Sequence, residues 1–285
     1  MFYDLNIPLP AAAGKVGGHV SSQEWAQIAQ IIEQARVFGY SVVALNQTIQ
    51  GKFVPEHLAV WRTAPEFADA QLGWDRETGA RTGTTTQSVA RGKIRVLRRL
   101  TAVISEAAQG HSLSGAGAFD VVAVQPTTAD MLQAACNGTW DGVDMVAMDM
   151  GRRWGFYAKH KVVSQALALG VSLEIAYQPA LADMQARQQW VANAAAIVRA
   201  TRGRCLVWSS GARSAMDLRP PYDVANLGEV LQLNGDLSKR ALSANPRAAL
   251  MHAFTRTATL RAVIAPKHPA ASKPEPSAKK PRISG

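Results

Sequence analysis

The sequence predicts an α/β protein, a TIM-like βα barrel of mostly parallel strands with helices outside. Three observations carry this. Short, nearly continuous apolar runs recur seven times between residues 2 and 210, most are followed by a helical pattern, and 47% of the 285 residues are hydrophobic. Strands apolar on both faces and separated by helices indicate a covered parallel sheet. Seven of them at this spacing suit one barrel better than two small domains. A doubly wound open sheet is also compatible, but IPLP rather than a glycine-rich fingerprint follows the first strand, so a dinucleotide fold has no support.

Taken in order, FYDLNI (2–7) reads as a strand, because β-formers alternate there. Residues 21–38 read as a helix with Trp25, Ile28, Ala29 and Ile32 on its apolar side. SVVALN (41–46) is the second strand. A Gly/Thr-rich stretch over 47–92 has few apolar clusters and predicts a long loop or insertion. IRVLRRLTAVI (94–104) is a strand carrying three arginines; alternation puts Arg95 and Arg99 on one face and Arg98 on the other, which marks a candidate internal arginine. DVVAVQP (120–126) is a buried strand with a helix over 127–136. VDMVAMD (143–149), a helix over 156–169, VSLEIAY (171–177), a helix over 183–200 and CLVWSS (205–210) continue the alternation. In PPYDVANLG (220–228) the pattern predicts Asp223 as N-cap, Val224, Leu227, Val230 and Leu231 on one face, and Asn234-Gly235 as the stop.

The barrel is thus expected to occupy 1–265 as one domain. Residues 266–285 hold five Lys or Arg, one Glu and five Pro, a composition that predicts disorder. Of the net charge of +10, that tail accounts for +4, so the body is basic in its own right and suits a polyanionic partner. AKKPR (278–282) has the form of a short nuclear-import signal. No apolar run approaches the roughly 20 residues of a membrane span, and no secretory signal is read at the start. Cys136 and Cys205, both in apolar surroundings, fit small buried hydrophobes in a reducing compartment rather than a disulfide framework.

In a βα barrel, chemistry sits where the strands end. Those ends offer Asn6, Asn46, Pro126, Asp149, Tyr177-Gln178 and Ser209-Ser210. None of the histidines, His19, His57, His111, His160, His252 and His268, lies there, and His160 reads as a solvated or RNA-facing side chain. WSSGA (208–212) is not a G-x-S-x-G elbow. Asp144 and Asp149 bracket one strand and read as a cap or salt bridge. The residues describe a barrel without a catalytic constellation.

DLNI, GYSVVALN (39–46), LRRLT (97–101), FDVVAVQP (119–126), SSGA (209–212), LRPPYDVANLGEVLQL (218–233) and NPRAALMHAFTRTAT (245–259) occur in an order that resembles one family. It is the roughly 30-kDa protein subunit of eukaryotic nuclear ribonuclease P, shared with ribonuclease MRP. The likeness covers about 1–262 apart from 47–92, and PYDVANLG is its most specific part. The resemblance implies a barrel related to PHP-type metallo-phosphoesterases, whose first strand ends in D-L-H-x-H. Here Asp4-Leu5-Asn6-Ile7-Pro8 stands in that place, and neither asparagine nor proline replaces an imidazole ligand. It implies a non-catalytic subunit without a cofactor of its own, in a particle whose RNA is the catalyst and requires Mg2+. The implied partners are the ribonuclease P RNA and MRP RNA, other protein subunits including a small RNA-binding one, and precursor tRNA. The implied place is the nucleus and nucleolus.

Candidate RNA contacts follow from charge. MGRRWGFYAKHK (150–161) interleaves Arg152, Arg153, Lys159 and Lys161 with Trp154, Phe156 and Tyr157, which suits phosphate contact with base stacking. Lys159 and Lys161 also match a basic pair of the family. Arg213 and Arg219 flank the loop after the last strand and come second. Arg91, Lys93, Arg95, Arg98 and Arg99 come last. Two other readings remain open to the sequence: a metal-dependent phosphoesterase or protein-only nuclease using Asp4 and Asp149, and a protein–protein adaptor whose basic surface is only solvated.

Overall fold

The computed structural model describes residues 1–74, 92–260 and 263–264. The strands are β1 (Phe2–Pro8), β2 (Tyr40–Gln50), β3 (Ala70–Leu72), β4 (Ile94–Ile104), β5 (Val121–Pro126), β6 (Met145–Ala147), β7 (Ser172–Ala176) and β8 (Leu206–Ser209). They form one parallel sheet in the order β1-β2-β4-β5-β6-β7-β8, with β3 pairing the first residues of β4. The helices are α1 (Ser22–Val37), α2 (Ala59–Arg62), α3 (Ala107–Gly110), α4 (Ala129–Cys136), α5 (His160–Ala168), α6 (Gln178–Leu181), α7 (Met184–Thr201), α8 (Pro221–Val230), α9 (Gly235–Leu242) and α10 (Ala244–Ala258). A short antiparallel pair, Thr259–Leu260 with Val263–Ile264, ends the described chain.

The sheet curls until β8 meets β1, where Gly211 N–H donates to the Asn6 carbonyl at 2.9 Å. The barrel interior is a cluster of its own. Tyr3, Leu5, Val42, Ala44, Leu97, Val121, Ala123, Met145, Ala147 and Val207 pack there on Ala249 and Leu250 of α10. α10 therefore plugs the end at which the strands begin. Asp144, just before β6, fixes it there by accepting from Arg256 at 3.0 and 3.2 Å and from His252 at 2.9 Å, as its reading as an ion-pair residue expects. Asp144 and Asp120 also tie neighbouring strands together. Each accepts from a backbone N–H of the preceding strand, Val122 at 2.8 Å and Arg98 at 2.9 Å.

Three expectations are corrected. The stretch 47–92 is not a bare loop where it is described: β2 runs on to Gln50, and Phe53, Trp61, Phe67 and Trp74 are buried. Aromatics spread singly along a segment leave no periodic signal, so sequence patterning passes over them. The helix expected from 156 begins at His160, because Lys159 is extended with ψ 136°. The third concerns α8. Pro220, not Asp223, is its cap position, with Pro221 as first helical residue, a place where the missing N–H costs nothing. Asp223 lies in the first turn, where the helix dipole favours its charge. Val230 is 66% exposed rather than on the packed face. The stop is a Schellman turn: Leu233 N–H reaches the Gly228 carbonyl at 2.8 Å and Gln232 N–H the Glu229 carbonyl at 3.0 Å, with Gln232 left-handed at φ 60°. Asn234 instead caps α9, accepting from Asp236 N–H at 2.9 Å. The tail 266–285, with AKKPR, and Arg91 lie outside the described residues.

α8 packs on its own barrel. Tyr222 stands edge-on to Phe2 of β1 at 5.4 Å, and Gly228 lies so close to α9 that a Cβ would come 2.3 Å from Ser238 Oγ.

Candidate functional site

Where the strands end, a cavity of about 540 Å³ opens between the strand tips and the loops that follow them. Its walls mix Asn6, Asn46, Thr48, Gln125 and Gln178 with apolar Leu9, Ile28 and Met150, and Arg213 stands at its lining. The floor is a buried ion pair. Arg99 of β4 points inward and both guanidinium nitrogens donate to the Glu174 carboxylate of β7 at 2.5 Å. Arg99 also donates to the Leu5 carbonyl (2.8 Å) and to Thr101 Oγ1 (3.1 Å). Thr101 donates to Asn46 at 2.7 Å, Asn46 to Asn6 at 2.8 Å, and Ser209 to Glu174 at 2.6 Å. The internal arginine expected in β4 is therefore Arg99; Arg95 and Arg98 are buried as well, and Arg98 lies over the Trp74 ring at 5.2 Å. Arginines enclosed in this way are not available to a macromolecular ligand.

The network binds the polar groups of the strand ends to one another. Asn6, which stands where the resemblance to PHP-type barrels implies a metal-binding imidazole, accepts from Asn46 instead. Asp149 accepts from Gly151 N–H at 3.1 Å and stands 3.7 Å from Arg152. Among the described residues, no three His, Cys, Asp or Glu side chains come together in a way that could hold a metal ion. Glu174 escapes sequence reading, although an acid inside the apolar VSLEIAY, opposite an arginine-bearing strand, is the available signal.

Asp4 lies beside this floor in the seam between β1 and β8. Its Oδ1 accepts from Ser210 N–H at 2.9 Å and Asn6 N–H at 3.2 Å, while buried Oδ2 has no partner. Burial pushes its carboxyl up to about 6, against the downward pull of the Ser210 hydrogen bonds. Above it, Tyr40 donates to the Arg219 carbonyl at 2.9 Å and Arg219 N–H to the Tyr177 hydroxyl at 3.0 Å, and burial raises both phenols.

The loop 150–161 is held at its base and open at its surface. Asn193 of α7 donates to the carbonyls of Met150 (3.0 Å) and Arg152 (2.8 Å), and Trp154 donates to that of Asp149 (2.6 Å). Trp154 and Phe156 stack at 6.4 Å and pack on the core, whereas Tyr157 is 85% exposed. Arg152, Arg153, Lys159 and Lys161 are exposed, as is Arg213. Arg219 differs: it is half-buried and its guanidinium donates to the carbonyls of Met216 (2.6 Å) and Leu218 (2.8 Å). His160, expected to be solvated or to face RNA, is exposed, and its Nδ1 donates to the Ala200 carbonyl at 2.6 Å. Ser210 donates to the Asn6 carbonyl at 3.2 Å, so both serines of WSSGA are structural. Cys136 is buried, and burial lifts its thiol to about 12; Cys205 is half-buried. No helix among the described residues is long and apolar enough to cross a membrane.

Comparison with known proteins gives one consistent picture. The family described as RNase P subunit p30 matches residues 1–258. The chain is 29% identical over 266 residues to Ribonuclease P protein subunit p30 of Mus musculus, covering 90% of this chain and 92% of the mouse protein. It is 27% identical to Probable ribonuclease P protein subunit 3 of Schizosaccharomyces pombe, over 93% of this chain and 98% of the yeast protein. Ribonuclease P/MRP protein subunit RPP1 of Saccharomyces cerevisiae is 29% identical over 85% of this chain and 77% of its own length. Among solved structures, a chain of the cryo-EM structure of archaeal Ribonuclease P with mature tRNA has the same fold, with a TM-score of 0.60 at 12% identity over 95% of this chain and 100% of that one.

Proposed function

The chain belongs to the RNase P subunit p30 family, and we propose that it is a non-catalytic protein subunit of ribonuclease P that binds and stabilises the catalytic RNA during 5′-leader removal from precursor tRNA. One observation carries the non-catalytic part. At the strand ends, where barrel enzymes place their chemistry, Asn6, Asn46, Thr101, Arg99, Glu174 and Ser209 are hydrogen-bonded to one another. Asp4, whose Oδ2 has no partner, is buried in the seam between β1 and β8 and does not line the cavity. This supports a site without a ligand set or a general acid or base for a substrate.

In this reading the Mg2+ requirement belongs to the RNA, and the protein contributes fixed cations. Lys159 and Lys161 are exposed on a loop anchored to a rigid barrel, the placement expected for phosphate contacts, and Arg153 and Arg213 stand exposed nearer the cavity. Other protein subunits, among them a small RNA-binding one, are the expected neighbours. A second particle with the MRP RNA is favoured by the yeast relative whose name includes MRP. Nuclear and nucleolar residence follows from such particles and from AKKPR in the tail.

The test is affinity capture of the tagged chain from nuclear extract, followed by sequencing of the bound RNA. Enrichment of one structured RNA together with precursor-tRNA cleavage is expected. Stoichiometric zinc or manganese in the purified chain, with hydrolysis lost on Asp4→Ala, would instead establish a metal-dependent phosphoesterase.

A further inference from the structure

Four of the cations singled out in the sequence lie on the loop 150–161, yet the structure carries that cluster onto a wider surface. His160 Nδ1 donates to the Ala200 carbonyl at 2.6 Å, locking the first turn of α5 to the last turn of α7. Lys159 and Lys161 flank His160, while Arg199 and Arg202 stand either side of Ala200. The two basic pairs are therefore neighbours in space. Past Arg202 the chain turns through Gly203, pressed so tightly on the next layer that a Cβ would come 2.9 Å from both Leu233 and Leu237. Leu237 belongs to α9, and Arg240 is one helical turn further along the same side. Arg204 follows Gly203 directly and is exposed.

All six side chains are exposed. None forms an ion pair with a described residue, whereas Arg152 faces Asp149 and Arg219 bonds its own backbone. Arg202 adds a second sign. It occupies the left-handed seat of the α7 end at φ 54°, with Gly203 N–H returning to the Val198 carbonyl at 3.2 Å. Glycine or asparagine normally fills that seat, so an arginine there is held against its backbone preference.

We propose that Lys159, Lys161, Arg199, Arg202, Arg204 and Arg240 form one basic belt across α5, α7 and α9, and that this belt docks the phosphates of a double-helical RNA segment. α5 packs on α7, and α9 meets the turn after α7 at Gly203, so the six cations follow one another over one surface. Neither RATRGR (199–204) nor LSKRAL (237–242) contains an aromatic residue. Single-strand grooves rely on rows of aromatic stacking platforms. Here Tyr157 is exposed at the Lys159 end while Trp154 and Phe156 pack on the core, so along the rest of the belt charge and shape, the terms by which a duplex is read, prevail. The RNA path then crosses the outer helices, away from the cavity at the strand ends. The inference rests on the RNA-subunit reading above and names the surface that serves it.

The test measures binding of the full-length chain to an RNA duplex of about 20 base pairs and to a single strand of the same length, between about 50 and 200 mM salt. The variants are Arg199→Gln/Arg202→Gln/Arg204→Gln for the belt and Arg153→Gln/Arg213→Gln for the loops around the cavity. Each duplex phosphate left without its cation lowers the log–log salt slope by about 0.9. The belt variant is expected to fall by about two to three in slope and on the order of tenfold or more in duplex affinity, and the loop variant by less than about one in slope. Circular dichroism and the unfolding midpoint check that each variant is folded, and Arg202→Gly/Arg204→Gln, in which glycine suits the left-handed seat, is expected to fall by about two in slope if the glutamine set misfolds. A belt variant with parental affinity and slope, beside a loop variant in which both fall, overturns the belt and leaves the RNA subunit standing. Preference of the parent for the single strand overturns the duplex assignment. Belt-dependent binding of polyglutamate but of neither RNA overturns RNA as its ligand in favour of an acidic protein. A parent chain that binds no RNA, alone or in captured particles, removes the functional reading itself.

Discussion

Arg99 and Glu174, 75 residues apart, meet inside the barrel as a two-point ion pair with both nitrogen–oxygen distances at 2.5 Å and side-chain exposures of 0% and 2%. A buried charge deprived of its partner is destabilising by about 3–5 kcal/mol, whereas replacing both by apolar residues of similar size is often neutral. Glu174→Ala should lower stability by that amount, and Arg99→Met with Glu174→Leu should recover most of it. Urea unfolding of the parent, both singles and the double checks this; equal losses in single and double variants would mean that the pair is not what matters there.

Asp4 should make part of the stability pH-dependent. Its carboxyl is raised to about 6 in the folded chain from an unfolded value near 4, because burial disfavours the charge. The folded state then binds the extra proton, so the contribution is present below about pH 4 and is lost as pH rises through 6, on the order of 3 kcal/mol. Asp4→Asn keeps an acceptor for Ser210 and Asn6 and removes the titration. The difference in unfolding free energy between parent and variant should change between pH 4 and 6 and be flat above 7; a difference constant across that range would show an ordinary carboxyl.

Gly228→Ala should loosen α8 from α9. The added Cβ would meet Ser238 Oγ at 2.3 Å and Ser238 Cβ at 2.7 Å, and Ser238 is itself held by the Ala225 carbonyl at 2.7 Å. Overpacking of this kind costs about 1–3 kcal/mol. A midpoint of thermal unfolding equal to that of the parent would show that the two helices can separate freely.

Arg202→Gly should move stability and RNA binding in opposite directions. Relief of the left-handed φ of 54° is worth up to about 1 kcal/mol, while a belt cation is removed. A fall in both properties together would point to a structural role for the guanidinium.

Deletion of 266–285 should leave folding and RNA binding of the barrel in place and reduce nuclear accumulation, since AKKPR lies in that segment. Fluorescence imaging of tagged full-length and shortened chains reads this directly, and undiminished nuclear retention would assign import to a partner.

The architecture is legible in the sequence because each barrel strand is apolar on both faces: all seven predicted runs are strands, and α1 keeps its capping box at Ser21 and Glu24. β3 escapes because three residues carry no period. The α8 boundaries are misplaced because Asp223 and Asn234 are good caps in isolation, while the two prolines and the Schellman turn decide the ends. Asn6 and Pro8 already signal a departure from metal binding, but Glu174 needs the third dimension, since only closure sets it against Arg99. The belt is hidden for the same reason. Arg199, Arg202 and Arg204 look like the end of one helix until His160 joins it to another.

The seam between β1 and β8 also governs how the chain is made. Asp4 and Ser210 are 206 residues apart, so the first strand to leave the ribosome must wait for the last before its free edge is covered. At about 5–20 residues per second that wait lasts on the order of 10–40 s. Throughout it β1 offers unpaired backbone groups to any other nascent strand. Contacts of such long separation also slow closure itself. The open edge of β1 is thus uncovered until β8 has been made, so anything that shields that edge during synthesis protects the yield of folded chain.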